Sequence, residues 1–292
     1  MARKLNAAAV YKAVKDAQAG QEKAVGLVIA GEPEVAAALA GQLGGDASTL
    51  GALRVVPPGA AYDIQPHEVV IVASGDQAAL LAAVEGARRA RAELIVLLSP
   101  ALAGQARAEA RDAGVYEDEL VVVDPCSAAA LKPVAEAVAR AAGDRAAPLA
   151  RRLPVLRDAA VQRIIRRVAS QNGAIGAVVF VPGVDLPAMT LNQVRMMLQI
   201  GTAYGRDISL ERVPEVLGVV VAGLGLRAAA RQVLGMVPLA GWAVKGAFGY
   251  AGTLALGEAA IRYYESGVAP VDPQRVKGLL NRVVKRGKAA TA

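Results

Sequence analysis

The chain has 292 residues, 54% of them hydrophobic, with a mean hydropathy of +0.37, enough apolar material for two domains with sizeable cores. Aromatics make up only 3%, which leaves few stacking platforms for bases or sugars. One Cys (Cys126) and one His (His67) exclude an internal disulfide, a Cys-rich zinc site and any His-paired metal motif. The net charge of +7 is unevenly placed. Residues 1–150 carry 14 Lys/Arg against 18 Asp/Glu, and residues 151–292 carry 19 against 8. The basic half is also the more apolar half, which favours an anionic lipid surface over nucleic acid.

The first residues are mixed polar, with Arg3, Lys4, Lys12 and Lys15 and no apolar signal core, so a cytoplasmic or cytoplasmic-face protein is expected. Residues 5–18 predict a short amphipathic helix. Residues 24–30 form a continuous apolar run, as in a buried parallel strand. Pro33 suits the first turn of a helix over 34–43. Strands are then expected at 53–56, 68–73, 93–98 and 119–123, and helices at 77–91, 104–113 and 127–142. This alternation predicts an α/β domain with a mostly parallel sheet over residues 1–145. Residues 146–154, with Pro148 and Pro154, are expected to link it to an all-α, basic domain over 155–292. Within that domain, residues 155–171 predict a helix with a basic face that includes Arg163, Arg166 and Arg167. Thr190 is expected to cap a helix ending at Gly205, and Asp272-Pro273 to open a last helix to about residue 285.

The strand–turn–helix over 26–41 is laid out like a Walker A loop without its working residues. In the G-x-x-x-x-G-K-[ST] register beginning at Gly31, the last three slots hold Ala36, Ala37 and Ala38. The missing Lys would neutralise phosphate charge and the missing hydroxyl would bind Mg²⁺. Glu32 and Glu34 place negative charge where phosphates would lie. Further along, Val56 stands where D-x-x-G has its Asp, and Ser99, Pro100 and Leu102 occupy the Asn, Lys and Asp slots of N-K-x-D. Leu120–Val123 with Ser127-Ala128 resembles the last GTPase motif. Order and spacing resemble a shortened Ras/Era-like G domain without nucleotide chemistry; a flavodoxin-like or Rossmann-like sheet is the other reading. No cofactor or metal is expected, and the absent motif residues argue against catalysis.

Residues 213–261 are almost continuously apolar, interrupted by Glu215, Arg227, Arg231, Lys245 and Glu258. A spanning helix needs roughly 20 mostly apolar residues. Residues 216–226 are too few; residues 233–256 suffice but contain Pro238 and Lys245, the latter costing about 3 kcal/mol at a bilayer centre. Ala247, Ala251, Ala255 and Ala259 recur every four residues, as do Gly249, Thr253 and Gly257, giving two small-residue faces suited to close helix packing. A soluble helical core, membrane insertion and peripheral docking all stay open. In the last helix, Lys277, Arg282, Lys285 and Arg286 surround an apolar face of Val276, Leu279, Leu280, Val283 and Val284, as in an interfacial helix on anionic lipid or a terminal helix with a solvated basic face.

Pro182 and Asp185, then Met196, Ile200 and Tyr204-Gly205, then Pro238, Gly241, Thr253, Gly257 and Tyr263 recur as an ensemble. It resembles an uncharacterised domain found C-terminal to bacterial Era-like GTPases and in inner-membrane proteins of the YcjF type, over about 40% of the chain. The resemblance implies membrane association, a GTPase-like domain upstream and no agreed biochemical activity. Members usually keep an intact GTPase half, and this chain does not. The reading is a non-catalytic, membrane-associated scaffold at the inner face of the cell membrane, with a homo-oligomer or a GTPase as possible partner. A membrane-bound nucleotide switch and a soluble self-associating adaptor are the alternatives. His67 is expected on a surface loop and Cys126 as a small packed residue; Asp185 fits a turn or cap, and Arg195 and Arg227 fit snorkelling or ion-paired positions.

Overall fold

The computed structural model describes residues 7–21, 26–44, 51–57, 64–178, 186–208 and 242–266. These fall into two compact units, residues 20–163 and residues 1–19 with 164–292.

The first unit is α/β. Its strands are β1 (Leu27–Gly31), β2 (Leu53–Val56), β3 (Val69–Ala73), β4 (Glu93–Leu98) and β5 (Leu120–Val122), all parallel, in the order β2-β1-β3-β4-β5. Strands β1 and β3 are buried along their whole length, which is why they read as unbroken apolar runs rather than as alternating patterns. The edge strands β2 and β5 are shorter and partly exposed, with Val55 and Val122 facing solvent.

Alternation along the strands divides the interior into two layers. Val28, Val70, Val72, Leu94, Val96 and Leu98 pack with Leu80, Ala83, Val84 and Ala87 of helix α3 (Gln77–Ala90) and Ala110 of α4 (Ala103–Asp112). Leu27, Ile29, Ile71 and Ile95 point the other way and are also fully buried. Helix α2 (Pro33–Gln42) packs on β1 and β2, and α5 (Leu131–Ala142) packs on β3, β4 and β5. Each interior residue of the sheet therefore has apolar cover on its own side.

Local chemistry sets the helix ends. Asp76 accepts hydrogen bonds from the Ala78 and Ala79 amides and starts α3. Arg91, left-handed at φ 56°, ends it. His67 is exposed and also left-handed, at φ 71°.

The stretch 146–154, expected as a linker, is instead ordered: α6 (Ala146–Arg152) runs into a 3₁₀ turn at Pro154–Leu156, with Ala146 to Ala150, Leu153 and Leu156 buried. Pro148 lies in the first turn of α6, where no amide partner is lost, so it does not break the helix. The division between units falls inside α7 (Arg157–Val178), at residues 163 and 164.

The described elements of the second unit are helices: α1 (Ala7–Gln21), the second part of α7, α8 (Leu186–Ala203) and α9 (Trp242–Ser266). Ala13 and Val14 of α1 are buried, and Gln18 donates to the Ile208 carbonyl at 2.8 Å. Gly205, at φ 76°, ends the α8 segment as the sequence predicts.

Candidate functional site

In the order β2-β1-β3-β4-β5 the chain leaves β1 in one direction and later returns to its other side. Doubly wound sheets bind ligands at the carboxyl ends of the strands where the order reverses, here between β1 and β3. Gly31 closes β1, and a Cβ built on it would lie 2.6 Å from the Ala73 carbonyl oxygen, so only glycine permits this approach. A single residue, Glu32, separates β1 from α2. Its backbone (φ −55°, ψ 140°) turns directly into the helix, with Pro33 at the first helical position. The Ser74 hydroxyl, just past β3, donates to Glu32 Oε1 at 2.7 Å and accepts from the Asp76 amide at 3.1 Å. A side-chain bridge thus joins the carboxyl ends of β1 and β3.

The surrounding chemistry is acidic. Glu32 and Glu34 follow β1, Asp76 follows β3, and Asp124 follows β5. Asp124 accepts from the Cys126 amide at 3.1 Å, and Ser127 accepts from the Ala129 amide at 3.2 Å. Those groups hold turns. Cys126 is an exposed free thiol rather than a packed residue. None of the residues named at these strand ends is cationic, so a phosphate placed here would meet carboxylates.

The slots aligned with Gly-Lys-Ser/Thr lie inside α2. Ala36 is buried, Ala37 is exposed and Ala38 is half-buried. A phosphate cradle needs successive loop amides pointing inward, and the one-residue link leaves no loop to supply them. Ser99 and Pro100 are exposed directly after β4, at the position the sequence predicts.

Of the residues expected at a membrane or partner surface, Arg163, Arg166 and Arg167 lie on α7 within little more than one turn. Arg163 is half-buried, while Arg166 and Arg167 are exposed. Lys277, Arg282, Lys285 and Arg286 lie outside the described residues, as do Asp185 and the whole of the apolar block before Trp242. Among the described residues no helix is long and apolar enough to cross a membrane, and no group of His, Cys, Asp and Glu is placed to hold a metal ion.

Three polar arrangements escaped the sequence reading. Glu68, 8% exposed, accepts from Arg54 Nη2 at 2.7 Å and from the Gln65 amide at 2.8 Å, tying β2 to the start of β3. Arg88 grips Glu119 through both guanidinium ends at 2.6 Å and lies 4.8 Å from the Tyr116 ring centroid. The hydrogen bond to Glu119 raises the Arg88 pKa above the usual arginine value.

The third is a buried network in the helical unit. Asn172 (α7) donates to Thr253 Oγ1 (α9) at 3.0 Å and to the Met189 carbonyl (α8) at 3.4 Å, and accepts from Asn192 at 3.0 Å. Gln193 also donates to Thr253 Oγ1, at 3.3 Å, and Thr253 donates to the Gly249 carbonyl at 2.8 Å. Asn172 and Thr253 are fully buried. The available signal was a polar residue inside an otherwise apolar helical stretch, but Thr253 reads equally well as a small packing residue.

No family model matches this chain, and neither the curated proteins nor the solved structures include a match to it.

Proposed function

We propose that this protein is a non-catalytic scaffold that docks on anionic membrane through its basic helical half and presents its α/β unit to a partner. The observation that carries the non-catalytic part is the acidic, bridged strand ends of β1 and β3, with Glu32 hydrogen-bonded to Ser74 where a phosphate loop would need positive charge. The central position of β1, flanked by β2 and β3, is compatible with a degenerate G domain, and equally with a flavodoxin-like sheet. Under the G-domain reading, the one-residue link to α2 represents a phosphate loop shortened away, not one retained with altered residues.

Titration of the intact chain with fluorescent GTP, GDP and ATP tests this. The expected result is no Mg²⁺-dependent binding tighter than about 100 μM, a level at which binding free energy is still only about −5.5 kcal/mol. Tighter, Mg²⁺-dependent binding would replace the scaffold reading with a nucleotide switch.

The membrane part rests on the charge of residues 151–292, on exposed Arg166 and Arg167, and on the family resemblance. Co-sedimentation with vesicles containing phosphatidylserine should pellet the protein at low salt and release it at high salt. Equal pelleting with neutral vesicles would remove the electrostatic mechanism. Resistance to alkaline carbonate after expression in bacteria would indicate insertion.

A further inference from the structure

The helical unit leaves an aromatic ring in the open beside its arginines. Tyr250 of α9 is 39% exposed. A Cβ built on Gly173 of α7 would lie 3.2 Å from Tyr250 Cβ and 3.8 Å from its ring carbon Cδ2, so the ring rests on α7 where a glycine leaves room. Ser170 and Arg166 precede Gly173 by one and two turns, which puts all three on one side of the helix. Ser170 and Arg166 are exposed, as is Arg167. Beside Tyr250 on α9, Ala251 is exposed and Leu254 half-buried; the exposed charges that follow are Glu258 and Arg262.

This face is cationic and apolar at once. Its exposed charges are three arginines against one glutamate, Glu258. That balance attracts an anionic surface. Around the ring the neighbours are Ala and Leu, which offer no hydrogen bonds to the edges of bases. A phenol ring with cations alongside instead matches the boundary between lipid headgroups and acyl chains, where an apolar body sits below and polar groups stay wet.

We propose that the α7–α9 face around Tyr250 is the lipid-contacting surface of this protein. Arg166 and Arg167 meet the phosphates of an anionic bilayer, and the Tyr250 ring enters the interface beneath them. This rests on the membrane-docking reading above and adds the place of contact and an apolar component to it.

The test uses the full chain with Cys126→Ser and Ala251→Cys, labelled at that single thiol with the environment-sensitive dye bimane. A second chain carries the label at Ala108→Cys, an exposed position of α4 in the α/β unit. Vesicles of mixed phosphatidylcholine and phosphatidylserine should shift the emission at residue 251 to shorter wavelength and leave that at residue 108 unchanged. Tyr250→Ser should weaken vesicle binding about 5-fold or more without changing its salt dependence, because the lost contribution is apolar. Arg166→Gln with Arg167→Gln should make binding less sensitive to salt. Pelleting with vesicles but no shift at residue 251 overturns this inference and leaves the membrane-docking reading standing. No pelleting at all removes both. A shift at residue 251 with duplex DNA and none with vesicles assigns the face to nucleic acid and also overturns the inference. If Tyr250→Ser does not fold, the contrast between residues 251 and 108 decides by itself.

Discussion

In the α/β unit the interior is made of Val, Ile and Leu side chains supplied alternately to the two faces of one sheet. In the helical unit, among the described residues, Ile165, Val168, Val194, Met196, Met197, Leu198 and Ile200 are buried together with two fully buried polar residues, Asn172 and Thr253. The first interior draws its specificity from strand register, because a slip of one residue would exchange the two layers. The second has no such alternation, so close glycine contacts and hydrogen-bond geometry take over that task. The difference extends to the surface. The α/β unit carries acidic, bridged strand ends, whereas α7 leads into the helical unit with Arg163, Arg166 and Arg167.

Substitutions in each interior test that contrast. The largest effect is expected from Ile71→Ala, at a fully buried site in a central strand, which should cost about 4 kcal/mol in urea unfolding followed by far-ultraviolet circular dichroism. Because Trp242 is the single tryptophan and lies in α9, its fluorescence gives a separate reading of the helical unit. A fluorescence midpoint that moves as far as the dichroism midpoint would mean the two units unfold together.

Gly249→Ala should cost about 3 kcal/mol, since the added methyl meets a backbone carbonyl that cannot rotate away. Ala251→Leu, on the opposite face of the same helix, should change stability by no more than about 0.5 kcal/mol. Equal losses at both positions would erase the distinction between the two faces.

Removing the buried carboxylate with Glu68→Ala leaves Arg54 and the Gln65 amide without this acceptor and should cost about 2 kcal/mol, again by urea unfolding. Arg88→Ala is expected to be the mildest of the polar losses, about 1 kcal/mol, because the pair is partly solvated. Its pH dependence has a definite sign. A pKa raised on folding contributes stability that is complete below the ordinary arginine value and is lost only as pH rises through the folded one. The difference between Arg88→Ala and the parent should therefore stay constant from about pH 6 to about pH 9. A growing difference towards alkaline pH would point to another group.

Much of the α/β unit was legible because its signals are local. The strands at 27–31, 69–73 and 93–98 are bounded apolar runs, and the helices between them begin and end at Pro33, Asp76 and Arg91 or close to them. In the segment 146–154 the sequence is ambiguous because prolines mark both linkers and helix starts, and only packing tells them apart. The acidity of the crevice could be read from Glu32 and Glu34. The Ser74 bridge could not, because its two residues are 42 positions apart.

By itself, then, the sequence determined the alternating elements, the parallel character of the sheet, the lack of a nucleotide-motif Lys and the split of charge between the halves. These follow from composition and short-range periodicity. Tertiary structure alone decided that β1 lies between β2 and β3, that α2 follows β1 after a single residue, and that Thr253 faces Asn172 across 81 positions of chain. The physical reason is that these pairings join residues far apart in the chain, and only packing brings them within hydrogen-bond distance.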